Sequence, residues 1–392
     1  MPSPSSAITI LGRVRFRSDD RVFGIKQEDR FSHLYVIGKT GTGKSTLIEQ
    51  MARQDLGAGR GFCLIDPHGD LVARVHAAVP AWRAADVTYL DAADPAQPFG
   101  YNPLRQVRKE RIPLAASGFL EVLKKTWSDA WGVRMEHILR NALFALLERP
   151  GSTLGDIQRL LLEKRFRREV GSAVHNEPVR RFWLKEYDKS SYAYRADGAA
   201  AVQNKVGAFL ADPVMRRIVT APEREISIRR TMDEGKVLLV NLGKGRLGDD
   251  SARLLGGLLV TTVGLAGFSR ADTPPAERHP FFLYIDEFQE FTTLAVAGML
   301  SELRKYRVSI SAAHQYLAQL EPEIRHAVLG NTGTLISFRI GGEDAPYLSR
   351  EFQGRFSEKD LTSLGNHEIY VRLMIDGQPS RGFSAGTVAH FQ

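Results

Sequence analysis

The sequence predicts an α/β fold: a mainly parallel sheet covered on both faces, interrupted by an inserted all-helical domain. Two observations predict it. From Ser32 to about Leu104, and again from Gly235 onward, short apolar β-rich runs alternate with helical or turn segments. Between these stretches that texture gives way to apolar residues at helical spacing. The expected organisation is a short N-terminal strand or extension (1–31), an α/β core (32–104 and 234–392) and the helical insert (105–233).

Taken in order, ITILGRVRF near the N-terminus reads as a strand at a sheet edge. The core strands are HLYVI (33–37), GFCLI (61–65), VTYL (87–90), KVLLVN (236–241), FFLYI (281–285), VSISAA (308–313), TLISFRI (334–340) and EIYVRLMI (368–375). Several are continuously apolar, as strands buried on both faces must be. In the insert, RIPLAASGFLEVLKKTW, MEHILRNALFALLE and TLGDIQRLLLEKRFRREV read as helices, punctuated at Pro150-Gly151 and Glu177-Pro178. Trp127, Trp131 and Trp183 supply its small core. The run LLGGLLVTTVGLAGF (254–268) carries four glycines and reads as a buried helix flanking the sheet, too short to span a bilayer.

A chain of 392 residues accommodates one large or two moderate domains. The single cysteine, Cys63, excludes an internal disulfide, and its apolar setting reads as a buried thiol in a reducing, cytoplasmic compartment. No secretory signal is visible. The formal net charge is +8, and residues 105–230 hold 25 basic against 15 acidic side chains, so the excess belongs to the insert. That segment suits an anionic partner, with a solvated helical surface as the plainer alternative.

The stretch VIGKTGTGKSTL contains an eight-position phosphate-loop pattern from Gly38 to Ser45, with an apolar strand before it and an amphipathic helix after it. Gly38, Thr40, Gly41, Thr42 and Gly43 let backbone N–H groups converge on phosphates, and Lys44, Ser45 and Thr46 open the helix whose dipole favours anions. Lys44 is expected to reach the β- and γ-phosphates of ATP, and the Ser45 hydroxyl to bind Mg²⁺. A second strand, FFLYI, ends in Asp286-Glu287. Asp286 is placed for the Mg²⁺ shell and Glu287 for polarising the attacking water. No Asn-Lys-x-Asp motif is present, which favours ATP over GTP. Gln315, after the strand VSISAA, is a candidate γ-phosphate sensor. Arg304, Arg307, Arg325 and Arg339 are rival sources of transition-state charge, between which spacing does not decide. Asp66, in FCLIDPHGDL, is either part of a ligand site or a turn cap.

Together, GKTGTGKST, FCLIDPHGDL, YIDEFQEF, LRKYRVSISAAHQYLAQL and NTGTLISFRIGGEDA resemble the HerA–FtsK superfamily of DNA-pumping ATPases, closest to TraG/TraD-like coupling proteins of conjugative type IV secretion. The resemblance runs from about His33 onward. It implies a RecA-like core, a ring of six with ATP between subunits, and DNA threaded through the centre. It also implies that Arg304 acts on the ATP of a neighbouring subunit, with Gln315 as sensor, although Leu303 and Arg307 stand where glycines are usual. The membrane-spanning helices of coupling proteins and the N-terminal barrel of HerA proteins are not seen. Relaxosome or secretion-channel proteins become candidate partners, and a peripheral place at the inner membrane follows from such a complex.

The function expected is an ATP-driven DNA translocase serving conjugative transfer. Its rivals are a protein-handling ATPase of a secretion machine, a HerA-like DNA-processing or defence ATPase, and a module that uses ATP only to hold a ring together. Against the last stands Glu287, which a scaffold does not need. Aromatic residues among the basic ones, in RRFWLKEY and SSYAYR, are either stacking platforms for unpaired bases or core residues.

Overall fold

The computed structural model describes residues 8–15, 20–105, 107–189 and 192–387, and their side chains except those of 192–197. Its strands are β1 (Ile8–Val14), β2 (Val22–Lys26), β3 (Leu34–Ile37), β4 (Gly61–Asp66), β5 (Val87–Asp91), β6 (Phe99–Gly100) and β7 (Arg224–Glu225). They continue as β8 (Val237–Asn241), β9 (Phe281–Ile285), β10 (Val308–His314), β11 (Thr334–Ser337), β12 (Glu368–Arg372), β13 (Met374–Ile375), β14 (Gln378–Pro379) and β15 (Phe383–Thr387). Two compact units are formed. One comprises residues 1–89, 228–241 and 266–392, the other 90–227 and 242–265.

The first unit is built on an eleven-stranded sheet in the order β2-β1-β15-β12-β11-β3-β10-β9-β4-β8-β5. From β11 through β3, β10, β9 and β4 to β8 every pairing is parallel. β3, β4, β8, β9, β10 and β11 are buried at every residue, which is why their sequences are apolar without alternation. Beyond β11 the sheet turns antiparallel through β12, β15, β1 and β2. β12 there shows the alternating burial of a strand with one covered face. The N-terminal strand is therefore part of the core sheet, one place in from the edge, and β2 and β15 are strands that the sequence pattern did not single out.

Buried charge ties this sheet together. Arg30, 1% exposed, meets Asp55 through two hydrogen bonds of 2.8 and 2.9 Å, and Arg60 donates to the same carboxylate at 2.8 Å. The Arg30 guanidinium lies 3.5 Å from the centroid of the Phe282 ring and donates to the Tyr284 hydroxyl. Arg83 donates to the carbonyls of Asp55, Arg60 and Gly235. Each guanidinium thus replaces water for carbonyls and carboxylates that burial would otherwise leave unpaired. Cys63 is buried, and burial pushes its thiol pKa well up.

The second unit is helical apart from the short β6·β7 pair. Its helices include Ile112–Thr126, Val133–Glu148, Asp156–Leu162, Lys164–Ala173 and Tyr192–Ala211. Pro178 does not interrupt a helix. It sits in the first turn of Glu177–Arg181, behind an Asn176 cap that accepts from the Val179 amide, where a missing N–H costs nothing. Residues 90–104 and 242–265 group with this unit, and 228–233 with the first.

The apolar run at 254–268 lies in a 21-residue helix, Asp249–Ser269. By length and hydropathy alone this helix with its following turn to Asp272 suffices to cross a membrane, being longer at both ends than the apolar run itself. Of the apolar window, 72% is buried within the protein. A Cβ on Gly257 would stand 2.7 Å from the Val122 side chain, and the Tyr101 hydroxyl donates to the Leu258 carbonyl at 3.3 Å. At the other end of the helix a Cβ on Gly267 would stand 3.4 Å from the Val308 side chain of β10, so that end flanks the sheet as expected.

Phe182, Trp183 and Tyr187 of RRFWLKEY are core residues, at 3%, 0% and 2% exposure. They pack edge-to-face or tilted against one another, and the Trp183 indole donates to the Asn141 carbonyl at 3.1 Å. Apolar rings anchored this way are not a platform for bases. The tyrosines of SSYAYR, Tyr192 and Tyr194, lie among the residues whose side chains are outside the description.

Candidate nucleotide-binding site

Parallel strands bring their C-terminal ends to one edge of a sheet, and at that edge β3, β9 and β10 place their loops side by side. The phosphate loop follows β3 and opens the helix Lys44–Gly57. That helix has no side-chain cap and no acidic residue in its first turn, so its leading N–H groups remain available to an anion. Gly43 has φ 120°, and a Cβ there would stand 2.8 Å from the His367 ring. At Gly38 a Cβ would lie 2.5 Å from that of Phe338. Neither position tolerates a side chain. The loop is also held from outside: the Lys39 amide donates to the Arg339 carbonyl at 2.8 Å, and the His367 amide to the Thr42 carbonyl at 2.9 Å. The Thr42 hydroxyl donates to the Lys39 carbonyl at 2.7 Å. Thr40 and Gly41 form the exposed tip, and Thr46 lies in the first turn of the helix.

Lys44 is 6% exposed, and its ammonium donates to the carbonyls of Gly38 at 2.7 Å and Lys39 at 3.1 Å. Burial lowers its pKa, against the opposing pull of Glu287 and Asp286. The Ser45 hydroxyl donates to Asp286 Oδ2 at 2.7 Å, joining two residues 241 positions apart. Asp286 is 5% exposed, and burial pushes its pKa up to about 6, with Asp66 and Glu287 adding like charge and the Ser45 hydrogen bond opposing. A buried carboxylate crowded by two others, with a hydroxyl at its side, is a set of hard oxygen ligands. It fits Mg²⁺, which takes few protein ligands and keeps several waters.

Glu287 receives the Gln315 amide at 3.2 Å on each carboxylate oxygen, and the Gln289 amide at 2.6 Å on Oε2. Gln289 was not singled out from the sequence, although its place two residues after Glu287 in a tight turn was a readable signal. Asp66 resolves as a cap: its carboxylate accepts from the amides of His68, Leu71 and Val72 at 2.8, 2.9 and 3.2 Å. His314, one residue before Gln315, is fully buried against the Tyr35 hydroxyl, and burial lowers its pKa to about 3. It is a neutral support for the strand tip.

Arg304 is not at this edge. It is exposed on the turn Leu303–Tyr306 that precedes β10. β10 then runs from Val308 to His314, whose pairing partner is Ile37 at the mouth of the phosphate loop. The six residue-to-residue steps of this strand separate its two ends by about 20 Å. Its charge is felt instead by His33, at the start of β3, whose pKa is lowered to about 4, chiefly by burial. The side chains of the rival arginines are engaged with other groups, Arg339 among them although its backbone adjoins the phosphate loop. Arg307 pairs with Glu28 at 2.7 Å, Arg325 lies 5.1 Å from the Tyr347 ring centroid, and Arg339 donates to the Leu364 carbonyl and Asn366.

No protein-family model matches the chain, and no curated protein matches it by sequence. Solved structures do. The plasmid coupling protein TrwB in complex with ADP and Mg²⁺ aligns with a TM-score of 0.68 at 16% identity, over 98% of this chain and 96% of that one. The bacterial conjugative coupling protein TrwBdeltaN70 aligns at 0.67 and 18%, over 97% and 89%. VirB4 of Thermoanaerobacter pseudethanolicus aligns at 0.67 and 14%, over 98% and 97%. At such identities the likeness establishes the fold: this chain has the α/β fold of the TrwB and VirB4 structures.

Proposed function

We propose that a chain with this fold and this site is an ATP-hydrolysing motor related to the conjugative coupling proteins, which moves DNA through a ring of six copies. The observation that carries the reading is the convergence of Lys44, Ser45, Asp286, Glu287 and Gln315 at one sheet edge. Lys44 and the first-turn amides would hold the β- and γ-phosphates, and Ser45 and Asp286 the Mg²⁺. The ion supplies charge neutralisation between the phosphates. Glu287 takes the proton of the attacking water, and Gln315, already within reach of Glu287, reports the γ-phosphate to it. Because Arg304 stands about 20 Å from the phosphate loop of its own chain, it serves the site of an adjacent copy. Relatives in fold were solved with both a GTP and an ATP analogue, so base preference is a property to measure here.

Lys164, Arg165 and Arg168 are exposed on the helix Lys164–Ala173, and they supply part of the positive face that would meet the phosphate backbone. Such contact is sequence-tolerant and weakens steeply with salt. One second reading, a protein-handling ATPase of a secretion machine, rests on the same exposed basic side chains, which would serve equally to dock an acidic protein partner. In either reading the chain acts in the cytoplasm, held at the inner membrane by its secretion partners. Steady-state ATP hydrolysis at low salt, with single-stranded, double-stranded or no DNA, separates the two. Stimulation by DNA that fades as salt rises, absent in Glu287→Gln, is the expected result. Robust hydrolysis indifferent to DNA would overturn the translocase reading in favour of the second.

A further inference from the structure

Immediately after Asp286-Glu287 the chain makes a single turn, Phe288–Glu290, closed by hydrogen bonds from the Glu290 amide to the Glu287 carbonyl at 2.9 Å and from the Phe291 amide to the Phe288 carbonyl at 3.1 Å. Phe288 is wholly buried and its ring centroid lies 6.5 Å from that of His314. It pins the turn beneath the tip of β10. Glu287 itself adopts the left-handed conformation, φ 49° and ψ 51°, which disfavours a residue with a Cβ by roughly 1 kcal/mol and persists where the surroundings impose it. The result is that two side chains from one turn converge, and the Gln289 amide meets Glu287 Oε2 at 2.6 Å.

We propose that Gln289 is the positioning residue for Glu287 in hydrolysis. Glu287 receives two amide groups, and they differ in kind. Gln315 reaches it from another strand by two contacts of 3.2 Å, and its one amide is also the group that engages a γ-phosphate. A donor shared between two acceptors cannot fix the carboxylate throughout a cycle. Gln289 belongs to the same pinned turn, makes the shorter contact, and reaches one oxygen only. It holds Oε2 and leaves Oε1 to take the proton of water, so that Gln315 can exchange partners without releasing the base. This rests on the reading of Glu287 as the base.

The test compares Gln289→Met, which keeps the side chain's length without a donor, with Gln289→Ala, Gln315→Ala, the Gln289→Met/Gln315→Ala pair and Glu287→Gln. ATP hydrolysis and affinity for a fluorescent ADP are both read. A fall of about tenfold in kcat is expected for both Gln289 variants, with KM and ADP affinity unchanged within about twofold. The loss caused by Gln289→Met should be larger in the Gln315→Ala background, because the two amides hold one carboxylate. Unchanged kcat in both variants while Glu287→Gln is inactive would overturn the assignment alone. So would a loss of ADP affinity matching the fall in kcat, which would make Gln289 a prop of the loop. Normal hydrolysis by Glu287→Gln would overturn the base reading itself.

Discussion

Replacing Asp286 by Asn should make the protein more stable and inactive at once. The Asp286 carboxyl has its pKa raised from 3.8 to about 6 by burial and by the neighbouring carboxylates. A raised pKa means that the folded state disfavours the ionised form. The cost is absent below about pH 4, where the group is protonated whether folded or not, grows between about pH 4 and 6, and is complete above. At pH 7.5 it amounts to roughly 3 kcal/mol as an upper figure. An Asn side chain removes the charge yet keeps an oxygen to accept from Ser45 and an atom count that fits the site. A gain of about 1 to 3 kcal/mol corresponds to roughly 3 to 10 °C in Tm for a unit of this size. The assay is a thermal melt in EDTA at pH 7.5 and pH 4, followed by hydrolysis with Mg²⁺ and ATP. Asp286→Asn should melt higher at pH 7.5, match the parent at pH 4, and fail to hydrolyse. A lower Tm at pH 7.5, or the same gain at both pH values, would refute the account of a charge held in the site for a cation at the expense of stability.

Two further outcomes follow from features away from the phosphate loop. Arg30→Ala strips one guanidinium from the buried Asp55, which retains only Arg60, and should cost about 3 to 5 kcal/mol in urea denaturation; a loss below about 1 kcal/mol would mean that Arg60 and Tyr284 suffice. Arg304→Ala should lower hydrolysis on the order of a thousandfold with ADP affinity unchanged, and mixing it with Glu287→Gln subunits should restore activity, because a composite site then holds both groups; flat specific activity of the parent over about a hundredfold dilution, with no oligomer present, would sink the proposal.

The parallel half of the fold was legible because burial on both faces leaves a continuous apolar run, as in FFLYI and KVLLVN, and because the phosphate loop constrains glycine, lysine and hydroxyl positions within eight residues. What escaped the sequence has a common cause. β15 reads FSAGT and β2 reads VFGIK. Each is five residues long and interrupted by a glycine, and β15 pairs with β1 at the far end of the chain. The helix Asp249–Ser269 was recognised, but which unit it joins depends on partners such as Val122 and Tyr101 that no local pattern names. Nothing local in the sequence marks Arg30, Asp55 and Arg83, and only tertiary structure buries them together. Of the site, Asp286 and Glu287 were visible at a strand end. Gln289 was not, since its role depends on the left-handed turn that folds it back.

The 241-residue separation between Ser45 and Asp286 has a consequence for the protein's first minute of existence. β3 pairs only with β10 and β11, so the strand bearing the phosphate loop has no neighbour until about 275 further residues have been polymerised. At ordinary rates of synthesis that wait is roughly 15 to 55 s. Residues 90–227 emerge in the interval and contain most of a compact unit. Helical, local contacts form in microseconds to milliseconds, so that unit can collapse on the ribosome while HLYVI stays an unpaired apolar segment. The nascent chain is thus most exposed to aggregation and chaperone capture early, and nucleotide can bind only after release of nearly the whole polypeptide.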